Sequence, residues 1–532
     1  MLRTARTRIA ALAAIAATGV VLAGCSASPA APAEDVETLY IEAIQEDPMN
    51  MNAQLTSTPS TQRFSYAMFD TLVGISAEYE VFPMLAKEYE LSADGLTLTL
   101  TLEEDVTWHD GEPFTSDDVV FNFEEIMPLS TYGPLITSRI VSVEAPDDST
   151  VVIELRETFG PLLETLALQF MIPKHIYEGT DYVTNPANMA PIGTGPMVFE
   201  AFNSGQDVVL VKNEDYWRGD VRVSKAIYPV MSDPNTRTLS LLNGEIDQAE
   251  IPASSQSQIA GNPDLVHLTK GYFPQSVIFE MNTLNPYLAD RDVRAAIFSA
   301  IDREAITEKA LSGHGVAAEG FIPPQMGWAV DEDVKFSEDF PFDPDQVNED
   351  LDAAGFPVGA DGFRFTLNLK FVSALADTVA AAEQMKSMLA DVGVNVNLEG
   401  VTSAIFTEQV YTQSTFDLAI LRTTAGSDPS LGIARWYECN PNKTAARNPS
   451  GICDPQIDKA TAAALSAADR DGRAEAFSDM QQRARDLMFF APIAWSSGAY
   501  PTVNTERWDG LTEPDANTAS ANLNWLTMTW KG

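Results

Sequence analysis

Imidazole chemistry in this 532-residue chain is confined to four histidines, His109, His175, His267 and His314, and none has the sequence neighbours of a general base or a metal ligand. The nucleophile and phosphate motifs are missing too. There is no Gly-x-Ser-x-Gly elbow, no His-Glu-x-x-His pair, no Cys-x-x-Cys and no loop ending in Gly-Lys-Ser/Thr. Gly193-Thr194-Gly195-Pro196 opens like a dinucleotide fingerprint, yet it follows Pro191 rather than a strand, and Pro196 lacks the amide such a loop uses, so it reads as a turn. Asp331-Glu332-Asp333 and Asp343-Pro344-Asp345 lack the glycine and terminal glutamate of a hand-type calcium loop and read as solvated surface. The expectation is a chain without catalytic residues, metal or cofactor. Its aromatic residues point elsewhere. Trp436, beside Tyr437, and Trp495, within Ala494-Trp495-Ser496-Ser497-Gly498, stand among small and polar residues that can wall a ligand cleft; simple core packing is the alternative for each. Trp108, between a strand and a turn, reads as scaffold.

A second kind of chemistry is written at the amino terminus. Arg3, Arg6 and Arg8 precede an apolar run from Ile9 to Leu22, too short for a comfortable membrane span, which stops at Leu22-Ala23-Gly24-Cys25. This ending resembles the lipobox of bacterial lipoproteins, which implies cleavage after residue 24 and acylation of Cys25. Two or three acyl chains, at about 0.8 kcal/mol per buried methylene, hold a domain to a membrane face. Residues 1–24 are then a leader, and residues 25–35, small, polar or proline, a tether reaching up to about 30 Å. The body is expected outside the cytoplasm and anchored to the cell membrane.

Without the three leader arginines the formal charge moves from -43 to -46, which repels phosphate backbones and excludes nucleic acid as a natural partner. The 508 residues left after cleavage exceed what one core normally serves, so two or three packed lobes and a large cleft are expected. With Cys25 assigned to lipid, Cys439 and Cys453 remain as a pair in an oxidising compartment; a disulfide is the natural reading, two free thiols the alternative.

The positioning elements are readable from periodicity. Leu96 to Leu102 alternates strictly, as a strand with one apolar face, and Val151 to Leu155 reads as another strand. Thr115 with Asp118 forms a capping box opening a helix that carries Val119, Phe123 and Ile126. Helices are expected over 292–301, from Asp302 to about Gly313, and over 381–392; strands over 394–398 and 416–421. Mixed helices and strands with no short repeat indicate an α/β or α+β protein in several lobes.

Several blocks together resemble the family 5 solute-binding proteins of ABC importers, which include dipeptide, oligopeptide and nickel receptors. They are Leu85-Ala86-Lys87 with Leu91 to Thr97, Trp108-His109-Asp110-Gly111-Glu112-Pro113-Phe114 through Phe121, Gly193 to Pro196, Asn213-Glu214-Asp215-Tyr216-Trp217-Arg218-Gly219, Leu242 to Asp247, and Asp292 to Ile297 with Ala300 to Arg303. The resemblance spans nearly the whole chain after residue 25. It implies an α/β, two-lobe, type II periplasmic-binding-protein-like fold with an extra subdomain in the first lobe. The first lobe would comprise residues 36–74, 190–284 and 497–532, the extra subdomain 75–189, and the second lobe 285–496.

The resemblance also implies function. A monomeric receptor would enclose a small solute between its lobes and deliver it to ABC permease subunits. A sensing or surface-binding lipoprotein with the same fold is the alternative, and a secreted hydrolase is disfavoured by the missing motifs. Peptide receptors of the family place an aspartate for the peptide amino terminus four residues before a second-lobe proline; in Thr423-Thr424-Ala425-Gly426-Ser427-Asp428-Pro429 that position is Ala425. A buried ammonium without a counter-charge is costly, so a short free-amine peptide would need Asp428, Glu46 or Asp47 as substitute. The expected ligand is a small solute, a peptide or a sugar-like molecule. The expected contacts are Glu46, Asp47 and Gln54 after the first strand, Thr423, Ser427 and Asp428, and Trp436 and Trp495.

Overall fold

The alternation at 96–102 forms a strand, Thr97–Leu102, whose three leucines are buried while its threonines are half-buried. It is central in a four-stranded antiparallel sheet with Ala86–Leu91, Thr150–Leu155 and Ile140–Asp147, which is the body of the extra subdomain. The structure is a computed structural model and describes residues 38–56, 58–252, 255–268, 270–271, 273–496, 501–512 and 525–531. The leader, Cys25 and the 25–35 tether lie outside the described residues. Beside the sheet runs helix Ser116–Phe121, where Asp118 accepts from the Thr115 amide at 3.0 Å and from the Lys174 amide at 2.9 Å. One carboxylate thus caps its own helix and ties it to Lys174–Tyr177.

The first lobe carries a four-stranded sheet in the order Leu39–Ile41, Lys225–Pro229, Asp207–Lys212, Met197–Asn203. A three-stranded sheet, Gln248–Glu250, Pro501–Asn504 and Leu265–His267, lies beside it. The second lobe is built on six strands in the order Gly315–Ala317, Phe490–Ser496, Gln275–Met281, Leu418–Thr424, Phe365–Val372, Val394–Val401. Helix Ala376–Asp391 makes the crossover between the parallel pair 365–372 and 394–401, beginning five residues earlier than the apolar stripe because Asp377 and Thr378 are buried with it. Strand Gln275–Met281 was placed with the first lobe by a boundary at 284, but it pairs with 418–424 and 490–496. Every residue from Ser276 to Met281 is buried, so the run has no polar face to show which sheet it joins.

Two polar clusters lock these parts together. His109 accepts from the Gly193 amide through Nδ1 at 3.2 Å and donates from Nε2 to the Gly195 carbonyl at 3.0 Å, binding the extra subdomain to the first lobe. Both glycines are required for close approach: a Cβ on Gly193 would stand 1.9 Å from the Met68 carbonyl oxygen, and one on Gly195 2.5 Å from the Met68 carbonyl carbon. Between them Thr194 donates to the buried Asp70 carboxylate at 3.0 Å, which also accepts from Tyr216 at 3.2 Å and Trp217 at 2.9 Å. The expected turn is therefore a docking segment.

The second cluster joins the extra subdomain to the second lobe. Arg473, on helix Arg470–Leu487, donates to Glu164 at 3.0 Å and to the Gly160 carbonyl at 3.2 Å, and pairs with Asp428. Ser427 donates to the Glu164 carbonyl at 3.1 Å, and the Gly160 amide to the Leu465 carbonyl at 2.7 Å. One apolar core runs through both regions, from Leu98, Leu100 and Ile153 to Phe279, Leu421 and Ala494. The first lobe has a core of its own around Tyr40, Phe64, Tyr228 and Trp508.

Burial pushes His109 down from the usual imidazole value to about 4. Its unfolded value is near 6.5, so the unfolded chain binds more protons in this range; the stability contribution is complete above about pH 6.5 and is lost as pH falls through about 4. His109→Gln is therefore expected to remove about 3 kcal/mol of the fall in unfolding free energy between those pH values, measured by urea titrations across the range. Arg473→Met leaves two carboxylates without their cation inside the structure and is expected to cost about 3–5 kcal/mol, read by the same titrations at pH 7.

Candidate ligand-binding site

The two passages of the chain between lobes bring together strand ends that carry polar side chains. In the second-lobe sheet Ser276 lies opposite Thr423 on one side and Trp495 on the other, so these three residues form one row on one face of three adjacent strands. Thr423 accepts from the Trp436 indole at 3.0 Å and from Arg435 Nη2 at 3.4 Å. The Trp436 ring stacks on Phe490 with centroids 5.4 Å apart and an interplanar angle of 11°, and the Arg435 guanidinium lies 5.2 Å from the Trp436 ring centroid. Ser276 Oγ and Trp495 Nε1 are buried and have no hydrogen-bond partner among the described residues.

One ionisable group of the extra subdomain acts on Arg435. Tyr132 is close enough to both Arg435 and Tyr66 for its phenol to act on each electrostatically, and Tyr66 stands on first-lobe helix Pro59–Met68. Its loop is held in place: Ser130 accepts from the Gly133 amide at 2.9 Å and donates to Gln169 at 2.8 Å. Gln54 donates to the same Gln169 oxygen at 2.9 Å and accepts from the Phe170 amide at 2.8 Å.

The structure separates the expected contacts into two groups. Thr423, Trp436 and Trp495 come together in the row just described. Gln54, Ser427 and Asp428 are buried with their polar atoms bonded to the protein: Gln54 to Gln169, Ser427 to Glu164, and Asp428 to Arg473 and the Ser430 amide at 2.8 Å. Asp428 starts helix Pro429–Gly432 as its cap. Asp47 accepts from Ser204 at 2.7 Å and from the Gly205 amide at 2.9 Å, pinning the turn after strand Met197–Asn203, and Glu46 is exposed. Neither carboxylate belongs to the row. Cys439 and Cys453 are bonded, with Cα atoms 4.4 Å apart.

Sequence reasoning missed Arg435, Ser276, Tyr132 and Glu280. Glu280 lies four residues along from Ser276 on the same face, fully buried, with neither carboxyl oxygen bonded among the described residues; burial pushes it well above the usual carboxylate range. A lone polar residue inside an apolar run, Ser276 and Glu280 in Ser276-Val277-Ile278-Phe279-Glu280 and Arg435 in Ile433-Ala434-Arg435-Trp436, was the available signal. Among the described residues no group of three His, Cys, Asp or Glu side chains could hold a metal ion, and no helix is long and apolar enough to cross a membrane.

Comparison with known proteins agrees with this architecture. Residues 80–444 match the model of bacterial extracellular solute-binding proteins, family 5 Middle. The nickel-binding periplasmic protein of Escherichia coli is 28% identical over 462 residues, covering 83% of this chain and 86% of that protein. A Brucella ovis protein named for peptide binding in an ABC transporter is 33% identical over 405 residues, covering 73% of this chain and 74% of its own. Among solved structures, the ABC transporter substrate-binding protein CtaP of Listeria monocytogenes superposes with a TM-score of 0.82 at 23% identity, covering 93% of this chain and all of that one. The two sheets joined by a double crossing, the subdomain inserted in the first lobe and these likenesses have one explanation: the chain is a member of the family 5 extracellular solute-binding proteins, which serve ABC transporters.

Proposed function

We propose that this protein is the lipid-anchored receptor of an ABC importer, a monomer that takes up one small solute between its lobes and presents it to the permease. The observation that carries this reading is the row Thr423, Ser276 and Trp495 at the lobe crossing, with two buried donors lacking partners among the described residues. Leaving a buried donor unsatisfied costs about 1–3 kcal/mol, and a polar solute lying along the row would remove that cost. Trp436, stacked on Phe490 and bonded to Thr423, stands beside it. Relatives are named for nickel and for peptides, so the solute class proposed here is a peptide-like molecule or a metal chelate of similar size.

In this reading Thr423, Trp436 and Trp495 touch the solute. Gln54, Ser427 and Asp428 position the walls, Asp47 holds a first-lobe turn, and closure of the lobes favours the form that the permease recognises. Acyl chains on Cys25 keep the receptor beside its transporter.

Native mass spectrometry of the protein purified from its own host is expected to show one small solute bound at near-unit occupancy. A protein that carries no solute and gives no heat with a broad peptide and chelate panel would overturn the reading. Separately, Cys25→Ala is expected to move the protein from the membrane fraction into the surrounding fluid; retention in the membrane fraction would refute the anchor.

A further inference from the structure

Arg435, like Arg294 and Arg303, differs from the four ion-paired second-lobe arginines; Arg294 spends its guanidinium on backbone carbonyls and Arg303 donates to the Phe340 carbonyl. Arg364, Arg422, Arg473 and Arg483 each face a carboxylate: Asp352, Asp377, Glu164 with Asp428, and Asp454 respectively. Arg435 has no carboxylate within ion-pair distance among the described residues, although the chain contains 76 acidic residues. Its side chain meets the Thr423 hydroxyl and the Trp436 ring, its Nε is buried without a partner, and the charged or ionisable groups acting on it are Tyr132, Tyr411 and the like-charged Arg447. A guanidinium taken largely out of water and given no counter-charge is costly unless something else supplies the charge.

Among the described residues, the carboxyl groups near the same wall are either committed to other partners or deeply buried. Ala425 stands where an amine-binding aspartate would, Asp428 is bound by Arg473 and the Ser430 amide, and Asp47 is bound to the 204–205 turn. Glu280 lies too deep in an apolar setting to ionise readily. The uncommitted groups nearest the row are a cation, an indole N–H and a hydroxyl, all able to donate.

Resting on the solute-receptor reading above, we infer that the second-lobe wall selects an anionic solute, binding a carboxylate on the Arg435 guanidinium beside Thr423 and the Ser276–Trp495 donors. Arg435 is then the specificity-determining residue, and its fork geometry suits a carboxylate held by two parallel hydrogen bonds.

The test uses ligand-free full-length protein and three calorimetric probes: N-acetyl-dialanine and citrate, which carry carboxylates and no amine, and dialanine amide, which carries an amine and no carboxylate. Wild type is expected to bind at least one carboxylate probe and to ignore dialanine amide; Arg435→Gln is expected to weaken that binding about ten- to hundredfold. Arg435→Lys, which keeps the charge but not the fork, is expected to fall between the two and serves as the folded control should Arg435→Gln not fold. The inference is overturned if dialanine amide binds wild type as well as the carboxylates do, if either substitution leaves carboxylate binding unchanged, or if no carboxylate probe binds. Native mass spectrometry of the host-purified protein separates the two levels. A co-purifying solute with no dependence on Arg435 sinks only the anionic preference, whereas the absence of any bound solute together with no probe binding sinks the receptor reading as well.

Discussion

The chain passes between its two lobes twice, and the strands that flank the two passages are neighbours in both sheets. On the first-lobe side Leu265–His267 pairs with Pro501–Asn504; on the second-lobe side Gln275–Met281 pairs with Phe490–Ser496. Hydrogen-bonded ladders resist bending within a sheet, so each strand pair belongs firmly to its own lobe. Ser276 is the second residue of one strand and Trp495 the next-to-last of the other, so the polar row stands at the strand ends where the chain enters and leaves the second lobe.

Buried polar side chains set the remaining geometry, and most stand in the blocks shared with the solute-binding family. His109 fastens the 193–196 segment, and Asp70 gathers Thr194, Tyr216 and Trp217 around a single carboxylate. Arg294 closes the end of the long helix 470–487 by donating to the carbonyls of Met488 at 2.7 Å and Leu487 at 2.5 Å. In this chain these residues dock one segment against another. The recognisable part of the sequence therefore identifies the frame, while the cluster of Thr423, Arg435 and Trp436 sits between the blocks.

Local pattern was a good guide to elements and a poor one to partners. The alternation at 96–102, the capping box at Thr115 and Asp118, and the cap at Asp302, whose carboxylate accepts from the Ala305 amide at 2.9 Å, act over a few residues and were legible directly. The strand expected over 416–421 starts at Leu418 and runs on to Thr424, because its polar tail pairs with Gln275 and Ser276 and not with water. Ser427, Asp428 and Gln54 looked available because they are polar and near loops. Their partners lie at Glu164, Arg473 and Gln169, far along the chain, and no local pattern reveals such pairing. Trp436 and Trp495 could be picked out by residue type alone, whereas Ser276 and Arg435 acquire meaning only when three strands and a short turn bring them together.

The bond between Cys439 and Cys453 closes a loop whose Asn448 amide donates to the Arg435 carbonyl at 3.3 Å, while Arg447 pairs with Glu438 at 3.0 Å. The backbone that presents Arg435 is thus braced by a covalent link that forms only in oxidising surroundings. Material produced in a reducing compartment would carry the same sequence with this brace undone. Recombinant preparations are for that reason comparable with the native receptor only when their thiols have been titrated and found absent.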